Sequence, residues 1–425
     1  MLTKDKNPPI NGGDFRVRPL RAALTTVLIA SALIVTGVLA FNGKESASAA
    51  GSGGQTAVSS DESSSAKISH DSASAAGSGG QTAVSPDESS SAKISHDSAS
   101  APAFSLLYDE TEGTRFCLYN DYLAECSRDS FCLIDKNGFE TFHKSVDFSA
   151  PAMCARGGYL VAYDCGGRTA FAMKGRKTVW EETFANAISG ASVNKNGYIA
   201  LILDEVGYRN CVRVYAPVGK KLFDWFVADD YVVGSEVAPS GKELIINRLK
   251  TSGLSARSSL VYLDMKYEPF RTVESKEDEV YLGARYLDDN TLAVATKNSL
   301  YLYSEAGELL AHEEFDYLTA FCEFPAGRVV AAVHRNNREL LIEYSADAPK
   351  GNALVIADRP VRNLSADNGF LFINYGYSAE VLGANGKTAS RLAFDDEILY
   401  GGASAKIGIL AVAKKSADIY AFQER

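Results

Sequence analysis

Seven cysteines, two tryptophans, four methionines and five histidines in 425 residues leave little material for the common catalytic and metal signatures. No CxxC pair occurs, which removes the zinc-ribbon and thioredoxin-type arrangements that depend on one. No GxSxG occurs, and between residues 103 and 425 only His143, His312 and His334 are available as a base beside a nucleophile. The histidines show neither HxH nor HxxxH spacing. We therefore expect no catalytic residue, no metal site and no cofactor site.

Clustered positive charge is also missing. Residues 103–425 carry 35 Lys+Arg against 44 Asp+Glu, a net charge of −9, without a basic run. Phosphate neutralisation needs grouped cations, so nucleic acid is excluded as a partner. The cysteines number seven, so at least one stays unpaired within a monomer; Cys117 to Cys165 are the closest group, and buried thiols acting as small apolar residues are the plainer reading.

Long apolar runs are absent with one exception. Ala22 to Phe41 (AALTTVLIASALIVTGVLAF) is uncharged and has the length a helix needs to cross the hydrocarbon core. Lys4, Lys6, Arg16, Arg18 and Arg21 precede it and only Lys44 follows closely, a bias that keeps residues 1–21 in the cytoplasm and sends the C-terminal part outside. A cleaved signal peptide is the competing reading, with Ala47-Ser48-Ala49 as its small-residue cleavage pattern. The apolar run exceeds the usual h-region, which favours an uncleaved anchor in the cell membrane.

Residues 42–102 read as a disordered Ser/Ala/Gly-rich linker. The segment 46–71 recurs as 72–97 with one change, Ser60 against Pro86. Each copy has only Val58 and Ile68, or Val84 and Ile94, as large apolar residues, too few to stack a core. A coil of this length reaches about 45 Å. His70 and His96 sit at matching points of the repeat and read as solvated residues.

From 103 to 425 the pattern changes to short apolar strands separated by turn residues. One turn recurs between a first and a second strand: VNKNGYIALIL (193–203), VAPSGKELII (237–246), YLDDNTLAVA (286–295), FPAGRVVAAV (324–333) and SADNGFLFIN (365–374). Another recurs between a third and a fourth: CLIDKNGFETF (132–142), VYAPVGKKLFDWF (214–226), LYSEAGELLAHEEF (302–315) and VLGANGKTASRLAF (381–394). The two alternate at about 40 residues, the length of one four-stranded propeller blade. The fold class is therefore all-β, a β-propeller.

First strands are expected near Thr114, Ser149, Ile188, Val232, Tyr281, Leu318, Val361 and Ile398, giving eight blades. Seven would result if 114–146 were an irregular cap. The last unit has only three strands before Phe422, and AFSLLYD (103–109) is placed to supply the fourth and close the ring.

The stretch from GYLVAYDCGGRTAFAM (158–173) through NKNGYIALILDEVGYRNCVRVYAPVGKKLFDW (194–225) to VAPSGKELII resembles an uncharacterised family of membrane-anchored, propeller-like extracytoplasmic domains of clostridial-type Gram-positive bacteria. The resemblance covers most of 103–425, and the anchor and stalk are similar only in kind. It implies a propeller related in shape to quinoprotein-dehydrogenase-like and outer-membrane assembly scaffolds. It implies no activity and no functional residue.

A quinone-dependent dehydrogenase would want adjacent cysteines, tryptophan-rich docking between blades and a set of Ca²⁺-binding carboxylates. Trp180 and Trp225 instead fall on expected fourth strands, where packing between blades accounts for them. Asp204-Glu205, Asp229-Asp230, Asp288-Asp289, Asp395-Asp396-Glu397 and the 274–279 loop (ESKEDE) read as solvated turn residues. Tyr119, Tyr122, Tyr208 and Tyr231 are candidates for a recognition face. The function expected is non-enzymatic recognition or scaffolding, with a protein or cell-envelope polymer as partner. The alternatives are an extracytoplasmic enzyme (hydrolase or lyase) with dispersed residues, which would show convergent polar groups with perturbed titration in an axial pocket, and a sensor input domain.

Overall fold

The structure, a computed structural model, describes residues 101–109, 113–252, 255–367 and 369–422. The expected cytoplasmic tail, the helix at 22–41 and the repeats at 46–71 and 72–97 lie outside the described residues. Among the described residues no helix is long and apolar enough to cross a membrane.

The described strands form eight four-stranded antiparallel sheets, the blades of a propeller. In chain order the blades span 115–145, 151–183, 188–227, 231–274, 283–314, 317–357 and 363–393, and blade 8 takes 400–420 together with the strand Phe104–Leu107. The first-strand positions read from the sequence fall within two residues of those observed. Residues 114–146 form a full blade rather than a cap, so the ring has eight.

Each second strand lies near the middle of its sheet and is covered on both faces. Tyr159–Asp164, Ile199–Leu203 and Thr291–Ala295 are buried at every position, which explains their unbroken apolar runs. Fourth strands lie at the rim and alternate, as Glu140–Ser145 does.

The apolar core is divided among the gaps between blades. Eight clusters fill eight gaps: one joins blades 2 and 3 through Tyr163, Leu201 and Tyr215, and another joins blades 8 and 1 through Leu123, Leu410 and Ile419. Both tryptophans serve these gaps. Trp180 stands 4.6 Å from Tyr215 of blade 3 by ring centroids, and Trp225 packs on the core shared by blades 3 and 4.

The recurrent turns have one geometry. Gly138, Gly219, Gly307 and Gly386 lie at φ between 70° and 83°, and their amides donate to the carbonyls of Asp135, Ala216, Ser304 and Gly383 at 2.8–3.0 Å. After each such turn the fourth strand carries one extra residue, so register shifts between third and fourth strands in blades 1 to 7. Blade 8 has no shift, because its outer strand comes from the other end of the chain and no turn joins them.

Closure is antiparallel, with Phe104 opposite Ile419 and Leu107 opposite Ser416. Phe104, Leu106 and Tyr108 pack on the core between blades 8 and 1. Deleting residues 103–108 removes this cover and bares the edge of the strand Ser416–Tyr420. Two apolar side chains of this kind are worth about 3 kcal/mol. The deletion variant should melt roughly 5 °C lower or more by calorimetry and aggregate with rising concentration.

Turn glycines also let neighbouring blades approach. A Cβ at Gly241, whose φ is +71°, would stand 2.4 Å from the Tyr198 ring of blade 3. Gly241→Ala combines left-handed strain of about 1–2 kcal/mol with overpacking of similar size. Denaturant unfolding should show a loss of about 2–4 kcal/mol.

Candidate functional site

Residues on or beside the first strands of blades 2 to 7 line an axial cavity of about 500 Å³. Arg156 enters it from the end of the blade 2 first strand, where Gly157 and Gly158, at φ 56° and 86°, make a two-residue turn. A Cβ at Gly157 would fall 2.4 Å from the Lys195 backbone, so the blade 2 turn can lie against blade 3 only with glycine there.

Arg156 reaches across the ring. Its Nη1 donates to Glu236 Oε1 of blade 4 at 2.6 Å, and its Nε and Nη2 donate to Glu323 of blade 6, on the opposite side of the channel. Arg285 of blade 5 stands 3.8 Å from the second oxygen of Glu236. Burial by itself would lower the Arg156 pKa, but the two carboxylates outweigh it and hold the guanidinium more firmly charged than usual. The Glu236 side chain is only 6% exposed, with Arg156 and Arg285 on its two oxygens.

The convergence expected of an enzyme is therefore present, but in a compensated form. Arg156 exchanges no proton near neutrality, and burial pushes the Tyr286 hydroxyl, which also lines the cavity, well above its usual range. Cys154 and Cys322 also line the cavity, and burial pushes both thiols up to about 12. They are protonated and weakly nucleophilic. No histidine lies among the residues lining the cavity.

His143, His312 and His334 stand on different blades. His312 stacks on Tyr301 with centroids 4.4 Å apart in blade 5. His334 in blade 6 stacks on Tyr317 and lies 3.0 Å from Glu339. His143 in blade 1 meets Cys132 and Glu140, a grouping that sequence reasoning missed. All seven cysteines are free thiols.

The acidic doublets are occupied with structure. Glu205 accepts from Asn186, Asp230 pairs with Arg248 at 3.4 Å, Asp289 accepts the Ser240 amide, and Glu397 lies 3.9 Å from Arg362. In the 274–279 loop, Glu279 accepts from the Tyr301 hydroxyl at 2.9 Å.

Of the four tyrosines expected on a recognition face, Tyr119 is buried and donates to Gly158 O, and Tyr122 packs on the core between blades 1 and 2. The other two fall together. Tyr208, 47% exposed, lies in the turn between the second and third strands of blade 3 and faces Phe226, 45% exposed, with centroids 5.0 Å apart. Beside them Arg209 lies 4.9 Å from the Tyr231 ring centroid and donates to its hydroxyl at 3.1 Å. Val206 at the tip of the same turn is 86% exposed.

Residues 104–321, the closing strand of blade 8, blades 1 to 5 and part of blade 6, match the model of a family of unknown function, DUF5711. The chain belongs to that family. No curated protein sequence matches this DUF5711 chain. Among solved structures, the Dos1 propeller is 12% identical, with a TM-score of 0.51 over 76% of this chain and 96% of that one. BamB from Moraxella catarrhalis is 11% identical, with a TM-score of 0.47 over 75% of this chain and 100% of that one. The C-terminal WD40 domain of Sif2 is 11% identical, with a TM-score of 0.43 over 60% and 75%. At such identities the likeness to the DUF5711 chain is one of fold.

Removing Arg156 leaves Glu236 buried without its nearest cation. Arg156→Ala should cost about 3–5 kcal/mol in denaturant unfolding. Replacing Arg156, Arg285, Glu236 and Glu323 together by Met or Leu should cost far less, because no charge of the group is stranded.

Proposed function

We propose that the protein is held in the cell membrane by residues 22–41, with residues 1–21 in the cytoplasm, and presents its propeller outside on the stalk 42–102. The propeller acts there as a non-enzymatic recognition or scaffolding module for a protein or cell-envelope polymer. The observation that carries this reading is the cluster of exposed Val206, Tyr208, Arg209 and Phe226, with half-buried Tyr231 beside them, at one end of blades 3 and 4. Aromatic and arginine side chains of this kind dominate the binding energy of protein contacts. Loops on a propeller face present such a surface on a rigid scaffold.

The compensated charges of the axial cavity support the same reading. An enzyme would draw on that cavity, whose volume suits a small molecule. Its arginines and carboxylates instead neutralise one another.

A photocrosslinking residue at position 208 in native membranes tests the proposal. It should capture an envelope protein or polymer, whereas the same probe at exposed Phe270, beside the opposite-end turn of blade 4, should not. Tyr208→Ser with Phe226→Ser should abolish capture while changing stability by no more than about 1 kcal/mol. Equal capture from both positions, or none, would count against a docking surface on blades 3 and 4. Lysines of the propeller that react with an impermeant reagent only after lysis would overturn the topology.

A further inference from the structure

Blade 1 carries a second group of chemically capable side chains, far in sequence reading from any recognised pattern. Glu125, Cys132 and His143 lie directly opposite one another on its second, third and fourth strands, and so share one face of the sheet. Glu140 joins them through the register shift. Leu133 pairs with Phe142 but Ile134 pairs with Glu140, so Thr141 is the extra residue. In a regular strand, residues three apart face opposite ways. The extra residue inverts the alternation and turns Glu140 to the side of His143.

The result is a triangle of three different ligand atoms. Cys132 Sγ lies 3.3 Å from Glu140 Oε2 and 3.4 Å from His143 Nδ1, and the last two are 3.5 Å apart. A tetrahedral zinc ion with ordinary bonds to sulfur, nitrogen and oxygen separates those atoms by about 3.3–3.6 Å. The three atoms thus already stand at the spacing of one face of such a tetrahedron. Cys132 is buried in the core between blades 1 and 8, while the side chains of Glu140 and His143 are 53% and 48% exposed. The sulfur forms the floor and the other two form an open rim.

We propose that Cys132, Glu140 and His143 form a binding site for one zinc-class divalent ion, with the fourth position open to solvent and Glu125 on the next strand. The thiolate and imidazole select this class, since magnesium and calcium take oxygen ligands. Binding releases the Cys132 thiol proton to solvent as the metal–sulfur bond forms. The ion would tie the third strand of blade 1 to the fourth at the seam where the ring closes. This inference is independent of the partner proposed above.

The test is a cobalt(II) titration of the purified full chain after treatment with chelator, followed by zinc. The expected result is a thiolate-to-cobalt charge-transfer band that saturates at one equivalent, disappears on adding zinc, and is missing in Cys132→Ser. His143→Gln and Glu140→Gln, both at exposed positions that leave the core intact, should weaken binding at least tenfold. Zinc should raise the melting temperature of the wild type and not that of His143→Gln. A band that persists in Cys132→Ser would assign the sulfur to another cysteine and overturn the site. So would the absence of any thiolate band, including cobalt held only by His70 or His96, which supply no sulfur.

Discussion

The structure depends on the packing of each blade against both of its neighbours. A four-stranded sheet whose second strand is apolar on both faces, as in Tyr159–Asp164, has no stable form alone; it must be sandwiched. Eight such sheets in a row would leave two open faces, one at each end of the series. Closing the ring removes both, and the strand Phe104–Leu107 secures the last gap by pairing with the C-terminal strand. The core is consequently a circle of eight equivalent gaps, among them those around Tyr163 and Tyr215, and around Leu123 and Ile419.

The same closure creates an axial space that the apolar core does not fill. Polar side chains at the inner ends of the first strands are brought together there whether or not they react. Arg156 resolves that space by joining Glu236 and Glu323 from two other blades. In a low-dielectric channel such pairs add little net stability, but losing one partner is expensive. They fix which charges meet at the axis, leaving the loops at the blade ends, with Tyr208 and Phe226, to face solvent.

A second consequence comes from the turns between third and fourth strands. Each ends in a residue or two of left-handed backbone and is followed by one extra residue in the outer strand. Repeated around the ring, this is a structural device that lets the rim strand bend away. In blade 1 alone it also gathers a thiol, an imidazole and a carboxylate at mutual distances of 3.3–3.5 Å.

Periodic turns such as KNG, PSG and ANG, and runs such as IALIL, were enough to specify an all-β ring of four-stranded blades and where each begins, because turn chemistry and strand burial are local properties written in adjacent residues; that 114–146 makes an eighth blade and not a cap was decided by the structure. Even the closing strand was legible, since a final unit of three strands and an unpaired AFSLLYD leave one another as partners. The contacts at the axis were not legible: Arg156 and Glu323 are 167 positions apart and meet only because blades 2 and 6 stand opposite in an eight-membered ring. Nor was the Cys132, Glu140 and His143 group, for a subtler reason. Alternation in a strand places Glu140 and His143 on opposite faces, and only the inserted Thr141, a matter of hydrogen-bond register and not of composition, puts them on the same one.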